Sequence, residues 1–124
     1  MSKKKILVVD DSKVASMTTC MILASRYECV TAENGEIGVE MASTENPDLI
    51  LMDVVMPTMD GFEACRKIRI RAETNGIPII MVTTRGEAIN VETGYECGCN
   101  DYVTKPIDKV ELLEKIENLT GADA

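Results

Sequence analysis

The stretch ILMDVVMPTMDG, Ile50 to Gly61, decides the fold. An apolar run ends on one carboxylate, Asp53. A short loop with one proline leads to Gly61, where a helical period begins. An acid at the end of a buried strand needs a reason, because burying a charge without a partner is costly. ILVVDDSK, Ile6 to Lys13, has the same form with two acids, Asp10 and Asp11.

Working outward from these stretches, short apolar runs alternate with longer segments of helical period. Strands are expected at 5–9, 28–32, 48–52, 77–83 and 101–104. Their continuous Val, Ile and Leu content indicates a sheet covered on both faces. After Ser12, the residues Val14, Met17, Met21 and Ala24 recur at helical spacing. Further helices are expected at 35–43, interrupted by Gly38, and at 61–71, with Phe62, Cys65 and Ile68 on one side. A weak helix runs from about Glu87 to Glu96, with Gly94 inside it. The last helix is the clearest. Asp108 and Glu111 form a capping-box pattern, and Leu112, Leu113, Ile116 and Leu119 lie on the inward face. Five β/α units of this kind imply an α/β three-layer sandwich around a parallel five-stranded sheet.

Length and composition set the bounds. At 124 residues and 45% hydrophobic content the chain fits one domain. A net charge of −8 disfavours nucleic acid and anionic membranes as partners. No apolar run approaches the roughly 20 residues that span a bilayer, and the run after KKK at 3–5 is too short for a secretion signal. A cytoplasmic location is therefore expected. The lysine run itself reads as a solvated start to the first strand, with no partner implied. Five cysteines at irregular spacing do not read as a disulfide framework, and Cys97 and Cys99 read as small buried thiols.

Ligands of an open parallel sheet bind beyond the carboxyl ends of its strands. Asp10 and Asp11 follow the first strand, Asp53 ends the third, Thr83 the fourth and Lys105 the fifth. Singly, each has a bland reading as a turn former, a strand-end hydroxyl or a loop lysine. Together they fall on one edge. At ~4 Å and an effective dielectric of ~20, each like-charge pair costs about 4 kcal/mol, so a cation or raised pKa values must offset the crowding. Oxygen ligands with neither histidine nor thiolate point to Mg²⁺. Mg²⁺ commonly shares such a site with a phosphate. Lys105 and Thr83 then bind phosphoryl oxygens by charge and by hydroxyl donation.

VVDDS, LMDVVMPTMDG, MVTT and DYVTKP, in that order and at that spacing, resemble the receiver domain of two-component response regulators, of the stand-alone chemotaxis-regulator type. The resemblance covers essentially the whole chain. It implies a flavodoxin-like (βα)5 fold with strand order 2-1-3-4-5, forming one receiver domain over 1–124, structured at about 4–120, without an output domain. It implies that Asp53 is the phosphoacceptor, attacking phosphorus as a carboxylate nucleophile. Asp11, Asp53 and the Val55 carbonyl would ligate Mg²⁺, with Asp10 acting mostly through water. Lys105 and Thr83 would bind the phosphoryl group, and Thr83 with Tyr102 would form the switch. A cis Lys105–Pro106 bond is implied as well. Asp60 and Gly61 read as structural, serving the start of the third helix.

The implied partners are a sensor histidine kinase or histidine phosphotransfer protein and a downstream target. That target would be met through the fourth helix, fifth strand and fifth helix of a monomer. The family tunes dephosphorylation at the positions of Val55 and Arg85. Val55 cannot hydrogen-bond an attacking water and Arg85 can lie over the phosphoryl group, so slow self-dephosphorylation is expected. Thr84 is larger than the alanine or glycine often found at its position, which would narrow access to Asp53.

Other functions fit less well. A haloacid dehalogenase-type phosphatase needs an acid two residues after its nucleophile, where Val55 and Ser12 stand. A flavin carrier is poorly served by 3% aromatic residues and no tryptophan. A receiver-like module that is never phosphorylated would not need the complete acid, threonine and lysine set. The expectation is a phosphoacceptor that takes part in its own phosphorylation, not an enzyme acting on other substrates.

Overall fold

The structure is a computed structural model that describes residues 3–84 and 91–121. Five parallel strands form one sheet in the order β2-β1-β3-β4-β5. In chain order the elements are β1 (Lys5–Val9), α1 (Lys13–Leu23), β2 (Glu28–Ala32), α2 (Gly35–Glu45), β3 (Leu49–Asp53), α3 (Gly61–Ile70), β4 (Ile79–Thr84), α4 (Val91–Cys97), β5 (Asp101–Lys105) and α5 (Lys109–Thr120). The parallel sheet with helices on both faces is what the alternation of apolar runs and helical segments predicts, and the flavodoxin-like strand order is the one the family resemblance implies.

The two-residue period of the strands sorts the core into two layers. Leu7, Val9, Ile50, Met52, Ile79 and Met81 point to the side carrying α2, α3 and α4. Ile6, Val8, Leu49, Leu51, Ile80 and Val82 point to the side carrying α1 and α5. β3 is buried at every residue, including Asp53. Gly38 does not interrupt α2; it lets that helix lie close to β1. A Cβ there would sit 2.9 Å from both methyl carbons of Val9.

Three features depart from the sequence reading. First, the apolar stripe of α1 faces outward. Val14, Met17 and Met21 are 74%, 60% and 77% exposed, while α1 buries Ser16, Thr19 and Leu23. Second, the lysine run is bonded. Lys3 Nζ donates to the Ala24 carbonyl after α1, Lys4 Nζ to the Thr120 and Gly121 carbonyls at the end of α5, and Lys5 Nζ to the Glu45 carbonyl and carboxylate at the end of α2. Carbonyls in the last turn of a helix have no partner within it, and a cation there also meets the negative end of the helix dipole. Third, Cys20 of α1 and Cys29 of β2 form a disulfide, with Cα atoms 5.8 Å apart. The remaining cysteines, Cys65, Cys97 and Cys99, are free and buried, which for Cys97 and Cys99 is the expected placement.

Several boundaries shift. β3 extends to Asp53, β4 starts at Ile79 and α2 continues to Glu45. The expected start of the fourth helix near Glu87 lies outside the described residues, as does Arg85. The Lys105–Pro106 bond is cis. Among the described residues, no helix is long and apolar enough to cross a membrane.

Candidate functional site

Register brings the site together. Val9 of β1 lies beside Met52 of β3, Asp53 beside Val82 of β4, and Thr84 beside Lys105 of β5. The carboxyl ends of the three central strands and of β5 therefore share one edge. Asp10, Asp11 and Asp53 each offer a carboxylate oxygen there, and these oxygens lie within 4.8 Å of one another. Among the described residues, this is the one group of three or more acidic or thiol side chains so arranged.

Local bonds fix Asp10 and Asp53. The Asp10 N–H donates to the Ala32 carbonyl at the end of β2, and its Oδ1 accepts the Ser12 N–H. Ser12 in turn caps α1 by accepting the Ala15 N–H. Asp10 is thus tied to both β2 and α1, and is buried. Asp11 is exposed. Asp53 is 6% exposed and accepts the Val55 N–H on its carboxylate. The loop after Asp53 returns at once, because the Gly61 N–H donates to the Val54 carbonyl. Asp60 then caps α3 by accepting the Glu63 N–H. Gly61 does more than start that helix. An added Cβ would overlap the Asp53 carbonyl oxygen and lie 2.9 Å from the Val54 Cα, so only glycine fits there.

Lys105 comes in from β5. Its Nζ donates to Asp10 Oδ2 at 2.8 Å and stands 3.8 Å from Asp53 Oδ2. Burial pulls the ammonium down, but the Asp10 hydrogen bond and the charges of Asp53, Asp10 and Asp11 outweigh it and leave Lys105 above the ordinary lysine value. One lysine does not neutralise three acids. Burial first, and then the charge of Asp10, push Asp53 from 3.8 up to about 6, against the opposing pull of Lys105 and the Val55 N–H. The site therefore holds excess negative charge over a cluster of hard oxygen donors. That donor set fits Mg²⁺, which favours carboxylates and water and has no use for the soft ligands absent here.

The remaining expected residues divide. Thr83 is buried at the end of β4, and its hydroxyl donates to the Val103 carbonyl of β5 at 3.5 Å. Val55 is 56% exposed beside the acids and offers no polar side-chain atom there. Tyr102 lies two positions earlier in register, opposite Met81, and away from the acids. Its ring meets Tyr95 of α4 edge to face at 5.4 Å, and its hydroxyl bonds the Cys99 thiol. What the sequence reading missed is the pairing of Lys105 with Asp10, the glycine-only contact behind Asp53, and the Cys20–Cys29 bond.

The chain has counterparts among known proteins. A model of the response regulator receiver domain matches residues 6–117. The chain is 42% identical to protein PilH of Pseudomonas aeruginosa over 113 residues, covering 90% of this chain and 93% of PilH. It is 41% identical to response regulator PleD of Caulobacter vibrioides over 120 residues, which is 94% of this chain but 26% of PleD. Among solved structures, the chemotaxis protein CheY4 of Vibrio cholerae superposes with a TM-score of 0.88 at 29% identity, covering 95% of this chain and 99% of that one. The receiver domain of the sensor histidine kinase PA1611 from Pseudomonas aeruginosa, which has a magnesium ion coordinated in its active site cleft, superposes with a TM-score of 0.89 at 30% identity. That match covers 98% of this chain and 100% of that one. With its fold, its acidic edge and these likenesses in agreement, the chain belongs to the response regulator receiver domain family.

Proposed function

We propose that this receiver domain is a phosphorylation-controlled switch with Asp53 as phosphoacceptor. The observation that carries the reading is the crowding of three carboxylates at one sheet edge, answered by a single lysine. Asp11 and Asp53, with the Val55 carbonyl, would hold Mg²⁺, and Asp10 would act through water. When bound, the ion supplies charge neutralisation for phosphoryl transfer. A deprotonated Asp53 oxygen attacks phosphorus, the P–N bond to a donor histidine breaks, and the imidazole leaves with the bonding pair and takes up a proton. Lys105 is close enough to Asp53 to exchange its Asp10 bond for a phosphoryl oxygen. Thr83 would turn from Val103 toward the same group.

The donor is a sensor histidine kinase or a histidine phosphotransfer protein. Output runs through Thr83 and Tyr102 to the face formed by α4, β5 and α5, and so to a protein target, either allosterically or as a phosphorelay step. The reading places the chain in the cytoplasm as a monomer, with protein partners and no nucleic-acid or membrane contact. The test is intact mass after incubation with acetyl phosphate. Wild type gains one phosphoryl group, the gain needs Mg²⁺, and Asp53→Asn shows none. No gain under any condition would overturn the reading in favour of an interaction module that is never phosphorylated.

A further inference from the structure

The cysteines fall into two classes. Cys65, Cys97 and Cys99 are buried on the α3 and α4 side, and burial pushes all three thiols above the ordinary cysteine value, Cys65 to about 12. Thiols held protonated in this way are poor nucleophiles. Cys20 and Cys29 differ in every respect. They are bonded to each other, half-buried, and on the opposite face of the sheet. Their bond joins α1 to β2, one of the two edge strands of the sheet. Both elements hold Asp10, α1 through Ser12 and β2 through the Ala32 carbonyl.

We propose that Cys20 and Cys29 are a reversible thiol–disulfide couple, exchanged by low-molecular-weight dithiols, that sets how firmly α1 is held against the sheet. In the exchange, a dithiol's thiolate attacks one of the two sulfurs. A mixed disulfide forms, the Cys20–Cys29 bond breaks, and the other cysteine leaves as a thiolate. The second thiol of the dithiol then displaces the first cysteine. The dithiol is oxidised to a cyclic disulfide, and the protein gains two electrons and two protons. Half-burial gives a small reagent access to the bond, and a Cα separation of 5.8 Å lets it re-form without backbone movement. The two cysteines are nine positions apart in sequence, so closing them constrains the unfolded chain over the α1–β2 connection. The proposal does not depend on phosphorylation of Asp53.

The experiment uses the whole folded chain, oxidised with a glutathione disulfide buffer and then treated with dithiothreitol without denaturant. Iodoacetamide labels free thiols, and peptide mass locates the labels. Oxidised protein takes no label at Cys20 or Cys29, reduced protein takes one at each, and the three buried cysteines stay unlabelled in both. Reduction lowers Tm by on the order of 5 °C. The Cys20→Ser/Cys29→Ser double variant folds and shows no redox-dependent Tm. The proposal is overturned if Cys20 and Cys29 label in the oxidised protein, if the bond survives native dithiol treatment, or if reduction leaves the wild-type Tm unmoved.

Discussion

Replacing Asp53 with asparagine should stabilise the metal-free protein, although it removes the central residue of the site. Asp53 is buried beside Asp10, and its pKa rises from 3.8 to about 6. A raised carboxyl pKa means that folding favours the protonated form. The folded state is therefore favoured most below pH 3.8, and that advantage is lost as pH rises through about 6. The shift, at about 1.4 kcal/mol per pH unit, corresponds to about 3 kcal/mol above pH 7. The substituted amide keeps an oxygen for the Val55 N–H and carries no charge. Asp53→Asn should thus gain roughly 2–3 kcal/mol at pH 8 in EDTA, on the order of 10 °C in Tm for a domain of this size. Urea unfolding followed by circular dichroism at pH 8, 7, 6 and 5 measures the difference, which should shrink steadily as pH falls. Millimolar Mg²⁺ should stabilise wild type more than the variant and narrow the gap at pH 8. A variant no more stable than wild type at pH 8 would refute the electrostatic reasoning. So would a gain that is equal at every pH.

Four other outcomes follow from the site. Gly61→Ala should cost at least about 3 kcal/mol in urea unfolding, because the new Cβ would overlap the Asp53 carbonyl oxygen and the backbone has nowhere to shift cheaply. Thr58 holds φ at 73°, a poor conformation for a β-branched residue, so Thr58→Gly should raise stability by about 1 kcal/mol in the same assay. Lys105→Met should tighten Mg²⁺ binding several-fold by calorimetry at pH 8, since it removes the cation 2.8 Å from Asp10, while slowing phosphorylation by acetyl phosphate. Val55→Asn should speed loss of the phosphoryl group, followed by intact mass, by giving an attacking water a hydrogen-bond partner; an unchanged decay rate would end the case for slow self-dephosphorylation.

The sheet was legible because each strand, covered on both faces, is an almost unbroken apolar run. The acids were legible because a parallel register carries strand ends to a common edge. Helix α1 was the harder case. Its apolar residues Val14, Met17 and Met21 turn outward, while the small polar Ser16 and Thr19 turn in. Short side chains let that helix approach the sheet, and periodicity alone does not say which face is buried. The Cys20–Cys29 bond depends on α1 lying along the edge strand, a tertiary fact with no local signature. Lys105 was placed correctly at the edge, but its choice of Asp10 rests on small differences in reach that a motif does not carry.

The lysine run has a mechanical consequence. Lys3, Lys4 and Lys5 fasten the ends of α1, α5 and α2, which lie on both faces of the sheet, and all three stand at or just before the start of one inner strand. A force pulling the N-terminus away from the body would load three helix ends at once, so the first peeling event would loosen both layers together. The start of β1 is the rivet of the domain, on the edge of the sheet opposite the one that carries the three acids.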